Sequence, residues 1–219
     1  ADGNKQTTYK GWPLYYFASD AVPGDTKGDK VGDHWFLAKP DYSLMYAETQ
    51  LEGDNDLSFY MTNGLGRTIY IFFKDTNNEN NFTKEDFSNN ELFPIFHIEI
   101  DKLPSILNKD DFETIDVFGS KQLTYKGNPL YYSNKDLVRG DVLGRNNAWS
   151  LVNTDTPVAK EPNTIQLTTN ETFGSILTDA EGMSLYFFSK DTKGASECTG
   201  GCIDAWPIFY TENITLDSG

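Results

Sequence analysis

Apolar residues along the chain alternate with polar ones in short runs, and Gly, Asn and Asp break the runs at close intervals. "QTTYKGWPLYYF" (6–17) reads as strand, Lys-Gly turn, strand, and "QLTYKGNPLYYS" (122–133) repeats it. "FYMTNGLGRTIYIFF" (59–73) places Asn-Gly at its turn, and "SILTDAEGMSLYFF" (175–188) places Asp-Ala-Glu-Gly there. In "PLYYF" Leu14 and Tyr16 share one face while Tyr15 and Phe17 share the other. Both faces are apolar, which predicts a strand covered on both sides. Helical periodicity is thin, and "DKLPSILNKDDF" (101–112) is the stretch expected to form one short helix.

Sliding the chain against itself by 116 positions matches residues 2–28 to 118–144 at 16 of 27 places, too many for chance. The same offset carries Leu51 to Leu167, Gly66 to Gly182, Tyr70 to Tyr186 and Asp75 to Asp191. "LFPIF" (92–96) falls on "AWPIF" (205–209) after a three-residue deletion. Within each long unit the phrase Gly-x-x-aliphatic-Tyr-x-x-x-x-Asp occurs twice, its tyrosines spaced 55, 61 and 55 residues apart. The chain therefore reads as a half-repeat (1–50), a complete repeat (51–166) and a second half-repeat (167–219). The last is expected to be completed by residues 1–50, because pairing the two would cover open strand edges.

The predicted fold is all-β: four hairpin-based modules of about 55–60 residues in two pseudo-repeats. A propeller-like ring is the leading arrangement and two packed β-sandwich lobes the alternative.

A catalytic group is needed once, whereas a structural device is needed once per module. Asp20, Asp75, Asp136 and Asp191 stand at the same place after a strand, where a carboxylate accepts backbone N–H bonds and stops the strand. The tyrosines are expected to pack with the hydroxyl reaching a polar partner.

These residues resemble the bacterial secreted repeat family of unknown function, whose members are described as predicted lipoproteins with a Tyr-x-(Phe/Trp/Tyr)-x-x-Asp motif. The motif stands here as Tyr15, Phe17 and Asp20, as Tyr70, Phe72 and Asp75, and as Tyr186, Phe188 and Asp191. The remaining copy departs, with Ser133 between Tyr131 and Asp136. Cys198, Cys202, Trp206 and Pro207 resemble the family's paired cysteines before Trp-Pro. The resemblance implies an exported, cell-surface or periplasmic bacterial protein, often lipid-anchored. No lipobox cysteine stands in the sequence, so an anchor would lie outside this chain. The resemblance implies no activity.

Charge narrows the partners. With 33 acidic against 18 basic residues the net charge is −15, which argues against nucleic acid and against anionic lipid. No apolar run is long enough to span a membrane. Cys198 and Cys202 fall on Phe82 and Asp86 of the sister unit, and loss as a pair is what a disulfide predicts. Asp20, Asp25, Asp29 and Asp33 crowd a Gly-rich loop of the kind that offers oxygens to calcium. The sister loop puts Arg145 where Asp29 sits, so a solvated acidic turn is the competing reading.

His34 and His97 lack partners at ligand spacing, and no Gly-x-Ser-x-Gly, phosphate loop or His-Glu-x-x-His occurs. The features repeated four times serve the frame, and those that vary are the loops after each Asp. That division predicts a non-enzymatic binding or scaffolding module for a protein, glycan or small ligand. An envelope metal or redox accessory protein and a carbohydrate-active enzyme are the alternatives.

Overall fold

Two Lys-Gly turns show how locally the sequence acts. In a computed structural model Lys10 and Gly11 have φ of 50° and 82°, and Lys126 and Gly127 have φ of 49° and 79°. Two successive left-handed residues make the turn whose twist suits a tight hairpin. The structure describes residues 5–51, 57–161, 165–179, 182–191, 195–210 and 216–217, in two compact units, Ala1–Ala159 and Lys160–Gly219.

In the first unit β1 (Thr8–Tyr9) and β2 (Trp12–Pro13) form the first of those hairpins. β3 (Leu44–Gln50) pairs antiparallel with β4 (Leu57–Asn63), from Leu44 opposite Asn63 to Gln50 opposite Leu57. At the Asn-Gly turn the Asn63 carboxamide accepts the amides of Leu65 and Arg67, both at 3.0 Å, and returns the chain towards β5 (Tyr70–Phe72). β6 (Phe112–Val117), β7 (Ser120–Tyr125) and β8 (Asn128–Pro129) make a three-stranded meander, the second Lys-Gly turn joining the last two. β9 (Trp149–Leu151) then pairs antiparallel with β5, setting Phe72 opposite Trp149.

The core has two parts. Leu44, Met61, Ile69, Leu123, Leu130 and Val152 are buried in one, under a rim of half-buried aromatics and aliphatics. Tyr70, Phe93, Tyr131 and Trp149 are buried in the other. At the second "PLYY" Leu130, Tyr131 and Ser133 have no exposed surface, so this copy is covered on both faces. The first copy differs: residues 14–17 are not in a regular strand, and Tyr16 is fully exposed.

In the second unit β10 (Ile165–Asn170) pairs antiparallel with β11 (Gly174–Thr178) and parallel with β12 (Leu216–Asp217). Thr178 then bridges to Ser184 as Thr62 bridges to Thr68, the same contact 116 residues on. The amide of Gly182 reaches the Asp179 carbonyl at 3.0 Å, while Ala180 and Glu181 between them lie outside the described residues.

The helix expected over 101–112 does not form there. Only Lys109–Asp111 make a 3₁₀ turn. The Lys102 carbonyl accepts the Ser43 amide and the Asp101 amide donates to the Ser43 hydroxyl, so the backbone is spent on a neighbouring segment. Pro104 removes a further helical donor. The α-helix, α1, instead spans Gly201–Ala205. The described strands form sheets of two or three strands each, an all-β arrangement with little helix.

Candidate functional site

Tyr70 and Tyr131, the central residues of two motif copies, face each other across an antiparallel bridge. Each amide donates to the other's carbonyl at 2.9 Å. The side chains then cross over. Tyr70 Oη donates to Asp136 Oδ2 at 2.7 Å, and Tyr131 Oη donates to Asp75 Oδ2 at 2.7 Å. Each tyrosine thus satisfies the aspartate of the other half, and the halves of the complete repeat are joined by a reciprocal exchange.

The second oxygen of each aspartate closes its own loop. Asp75 Oδ1 accepts the Asn81 amide at 2.7 Å and Asp136 Oδ1 accepts the Leu143 amide at 2.8 Å. The half-repeats do the same: Asp20 Oδ1 accepts Lys27 N–H at 2.9 Å, and Asp191 Oδ1 accepts Glu197 N–H at 2.8 Å. All four motif aspartates therefore anchor the loop that follows them, six or seven residues on.

Around the exchange sits an aromatic cage. Phe93 stacks on Trp149 with centroids 3.7 Å apart and planes 4° from parallel. Phe72 and Phe82 pack against Trp149 at 4.9 and 4.8 Å. Burial pushes Asp75 up to about 7, against the opposing hydrogen bond from Tyr131. It raises Asp136 too, and pushes the Tyr70 and Tyr131 hydroxyls well above the usual phenol range. A carboxyl near neutrality beside a tyrosine has the chemistry of a proton-transfer pair. Yet Tyr131 has no exposed surface and Asp75 only 8%, so both are buried within the cluster.

The loop of residues 20–33 divides its carboxylates among separate tasks. Asp25 Oδ2 accepts the amides of Ala21 and Val22 and pairs with Lys27 Nζ at 2.8 Å. Asp29 Oδ1 accepts the Leu37 amide at 3.0 Å. Those amide bonds hold both carboxyls below the usual range, with Lys27 contributing most at Asp25. Asp33 stands in a left-handed turn, φ 58°. Among the described residues no three His, Cys, Asp or Glu side chains converge as metal ligands. His34 Nδ1 lies 2.8 Å from Glu48 and its ring leans on Phe59, while His97 Nε2 lies 3.7 Å from Glu99.

Cys198 and Cys202 form a disulfide with Cα atoms 5.3 Å apart. It closes the loop leading into α1.

One surface feature escaped the repeat logic. Trp12 stands where the sister copy has Asn128. Its Nε1 donates to the Gly64 carbonyl at 3.2 Å, the Arg139 guanidinium lies 4.1 Å over its ring, and Arg139 Nη1 donates to the Lys10 carbonyl at 3.1 Å. These contacts dock the β1–β2 hairpin on the complete repeat. They also shape an open cleft lined by Tyr9, Trp12, Tyr42 and Met45, with Lys39 and the Asp41-paired Lys10 at its sides. The departure at position 12, in an otherwise matching stretch, is the signal in the sequence that marks it.

Residues 1–39 and 167–209 match a family model described as a secreted repeat of unknown function. No curated protein and no solved structure matches the chain. Among the described residues no helix is long and apolar enough to cross a membrane.

Proposed function

From residues 1–39 and 167–209 belonging to the family of secreted repeats of unknown function, we propose that the protein is a non-enzymatic binding or scaffolding module working at the bacterial cell surface or in the periplasm. The observation that carries this reading is where the motif side chains are spent. Each motif aspartate uses an oxygen on the amide of its own loop, and in the complete repeat the other oxygen takes a buried tyrosine. Such bonds make rigid loops on a rigid frame, and differing loops on a constant frame are where recognition resides.

The cleft beside Trp12 is the recognition surface we favour. Aromatic rings stack on the flat faces of sugars and ring systems, and Lys39 at the cleft's side favours an anionic ligand against the protein's overall negative charge. An acidic glycan fits both demands. Screening the protein on a glycan array, beside a hydrolase and oxidase panel, tests the reading. Binding of acidic glycans that weakens at least tenfold in Lys39→Ala, without turnover, is the expected result. Turnover that disappears on His34→Ala would make the protein an enzyme and overturn it.

A further inference from the structure

The cleft beside Trp12 has a closed counterpart in the complete repeat. The chain after Trp149 matches the chain after Trp35 at an offset of 114, carrying Leu37 to Leu151, Ala38 to Val152, Asp41 to Asp155 and Met45 to Ala159. In both copies this segment runs beside a Lys-Gly hairpin, and the hairpin lysines, Lys10 and Lys126, correspond at 116. In the complete repeat the segment is drawn onto the hairpin by hydrogen bonds. The Ala159 amide donates to the Lys126 carbonyl at 2.8 Å, and Asn128 Nδ2 donates to the Pro157 carbonyl at 2.9 Å. Lys126 Nζ donates to the carbonyls of Thr154 and Thr156, on either side of Asp155, at 2.7 and 3.2 Å.

In the N-terminal copy each of these bonds is replaced. The Lys10 carbonyl accepts Arg139 Nη1, Trp12 in the place of Asn128 donates to Gly64, and Lys10 Nζ pairs with Asp41 Oδ1 at 2.9 Å. The segment therefore stands off the hairpin, and Tyr42 and Met45 line an open wall. The two lysines differ in what holds them. Lys126 is tied to backbone carbonyls, which cannot turn away without distorting the segment that carries them. Lys10 is tied to one side-chain carboxylate, and the two side chains of that pair are 41% and 70% exposed. Asp41 holds the Lys10 ammonium above its usual range and Lys10 holds the Asp41 carboxyl below its own, each through their hydrogen bond. An exposed pair nonetheless contributes little, because water solvates both charges when it opens. Rotation of the Asp41 side chain alone frees Lys10 at the side of the cleft.

We propose that Asp41 is a built-in competitor at the cleft, occupying on Lys10 the place that the carboxylate of an acidic ligand takes when it binds. This role, which rests on the cleft being an acidic-glycan site, gives the bound ligand a second ammonium group. Lys39, on the same segment as Asp41, supplies the first, its Nζ meeting a neutral partner, the Leu103 carbonyl, at 3.5 Å. A neutral sugar offers Lys10 nothing in exchange for Asp41 and leaves the pair intact. Because the pair is exposed, Asp41 tunes affinity and favours charged ligands without shutting the site. The complete repeat shows the alternative outcome, a lysine satisfied by its own backbone and a segment packed against the hairpin.

Calorimetric titration of the full chain with a tetramer of galacturonic acid, and with its fully methyl-esterified neutral form, tests this. Asp41→Asn removes the charge and keeps a side chain suited to the left-handed backbone at this position, φ 58°. The variant is expected to bind the acidic tetramer about two- to fivefold more tightly than the wild type, the range an exposed ion pair allows. It should bind the neutral tetramer no better than the wild type does. Lys10→Ala should abolish the gain, so that Lys10→Ala binds the acidic tetramer alike with and without Asp41→Asn. Equal or weaker binding of the acidic tetramer by Asp41→Asn, with the wild type still binding it, overturns the role of Asp41 and leaves the glycan site standing. A gain that extends to the neutral tetramer, or that survives Lys10→Ala, also overturns it, because the competition is then not for Lys10. Failure of both proteins to bind the acidic tetramer overturns the glycan site itself, and the role of Asp41 with it.

Discussion

Asp75 is a carboxyl placed where ionisation is hardest, with 8% of its surface exposed and its two oxygens held by Tyr131 and the Asn81 amide. Its folded value of about 7 lies above the unfolded one of about 4, so between those values the native state binds more protons than the unfolded chain. The contribution of this group to stability is therefore complete below about pH 4 and lost as pH rises through about 7. At ~1.4 kcal/mol per pH unit, the loss amounts to at most about 4 kcal/mol. Asn in its place keeps an acceptor for the Asn81 amide and does not titrate. Denaturant unfolding from pH 4 to 8 should show stability falling more steeply with pH in the wild type than in Asp75→Asn. Parallel curves would mean that Asp75 is ionised as easily in the fold as out of it. The backbone amide that this aspartate accepts is legible from its repetition. The hydroxyl it receives from Tyr131, 56 residues away, is not, because nothing in a local pattern says which tyrosine comes to which carboxylate.

Among the elements, the hairpins are the most legible, since a Lys-Gly or Asn-Gly turn needs only its own residues to form. Elements that depend on distant partners are not. Residues 101–112 carry a helical spacing of apolar side chains, yet Ser43 takes up the backbone of Asp101 and Lys102 and the segment stays irregular. The apolar alternation of "PLYYF" announces cover on both faces at 14–17, where the side chains stand exposed, and the expected burial is found only in the sister copy at 130–133. Docking of the β1–β2 hairpin likewise rests on a long-range pair, Arg139 over Trp12. Arg139→Ala removes both that stack and the bond to the Lys10 carbonyl. It should release Trp12 into solvent, with a red-shifted indole emission and a loss of roughly 1–2 kcal/mol. The complete repeat should keep its own unfolding midpoint. Unchanged Trp12 emission would mean that Gly64 alone holds the hairpin.

At the scale of the whole molecule, two of the four copies of one phrase recognise each other, through the crossed bonds of the complete repeat. The all-β class follows from spacing alone, while the way halves combine emerges only from the crossed bonds of the complete repeat. The function we propose belongs to what the phrase leaves over, the loops and the cleft beside Trp12. All of this rests on the exchange of tyrosine hydroxyls between halves, and a double-mutant cycle on Tyr70 and Asp136 in the full chain tests it most directly. Asp136 is buried and its Oδ2 receives Tyr70 at 2.7 Å, so Tyr70→Phe leaves a carboxylate oxygen unsatisfied and Asp136→Asn weakens the same bond from the other side. Denaturant unfolding should give single losses of about 1–3 kcal/mol and a coupling energy of about 1–2 kcal/mol, the double mutant being little worse than either single. Losses that simply add would contradict the exchange as the bond that joins the halves.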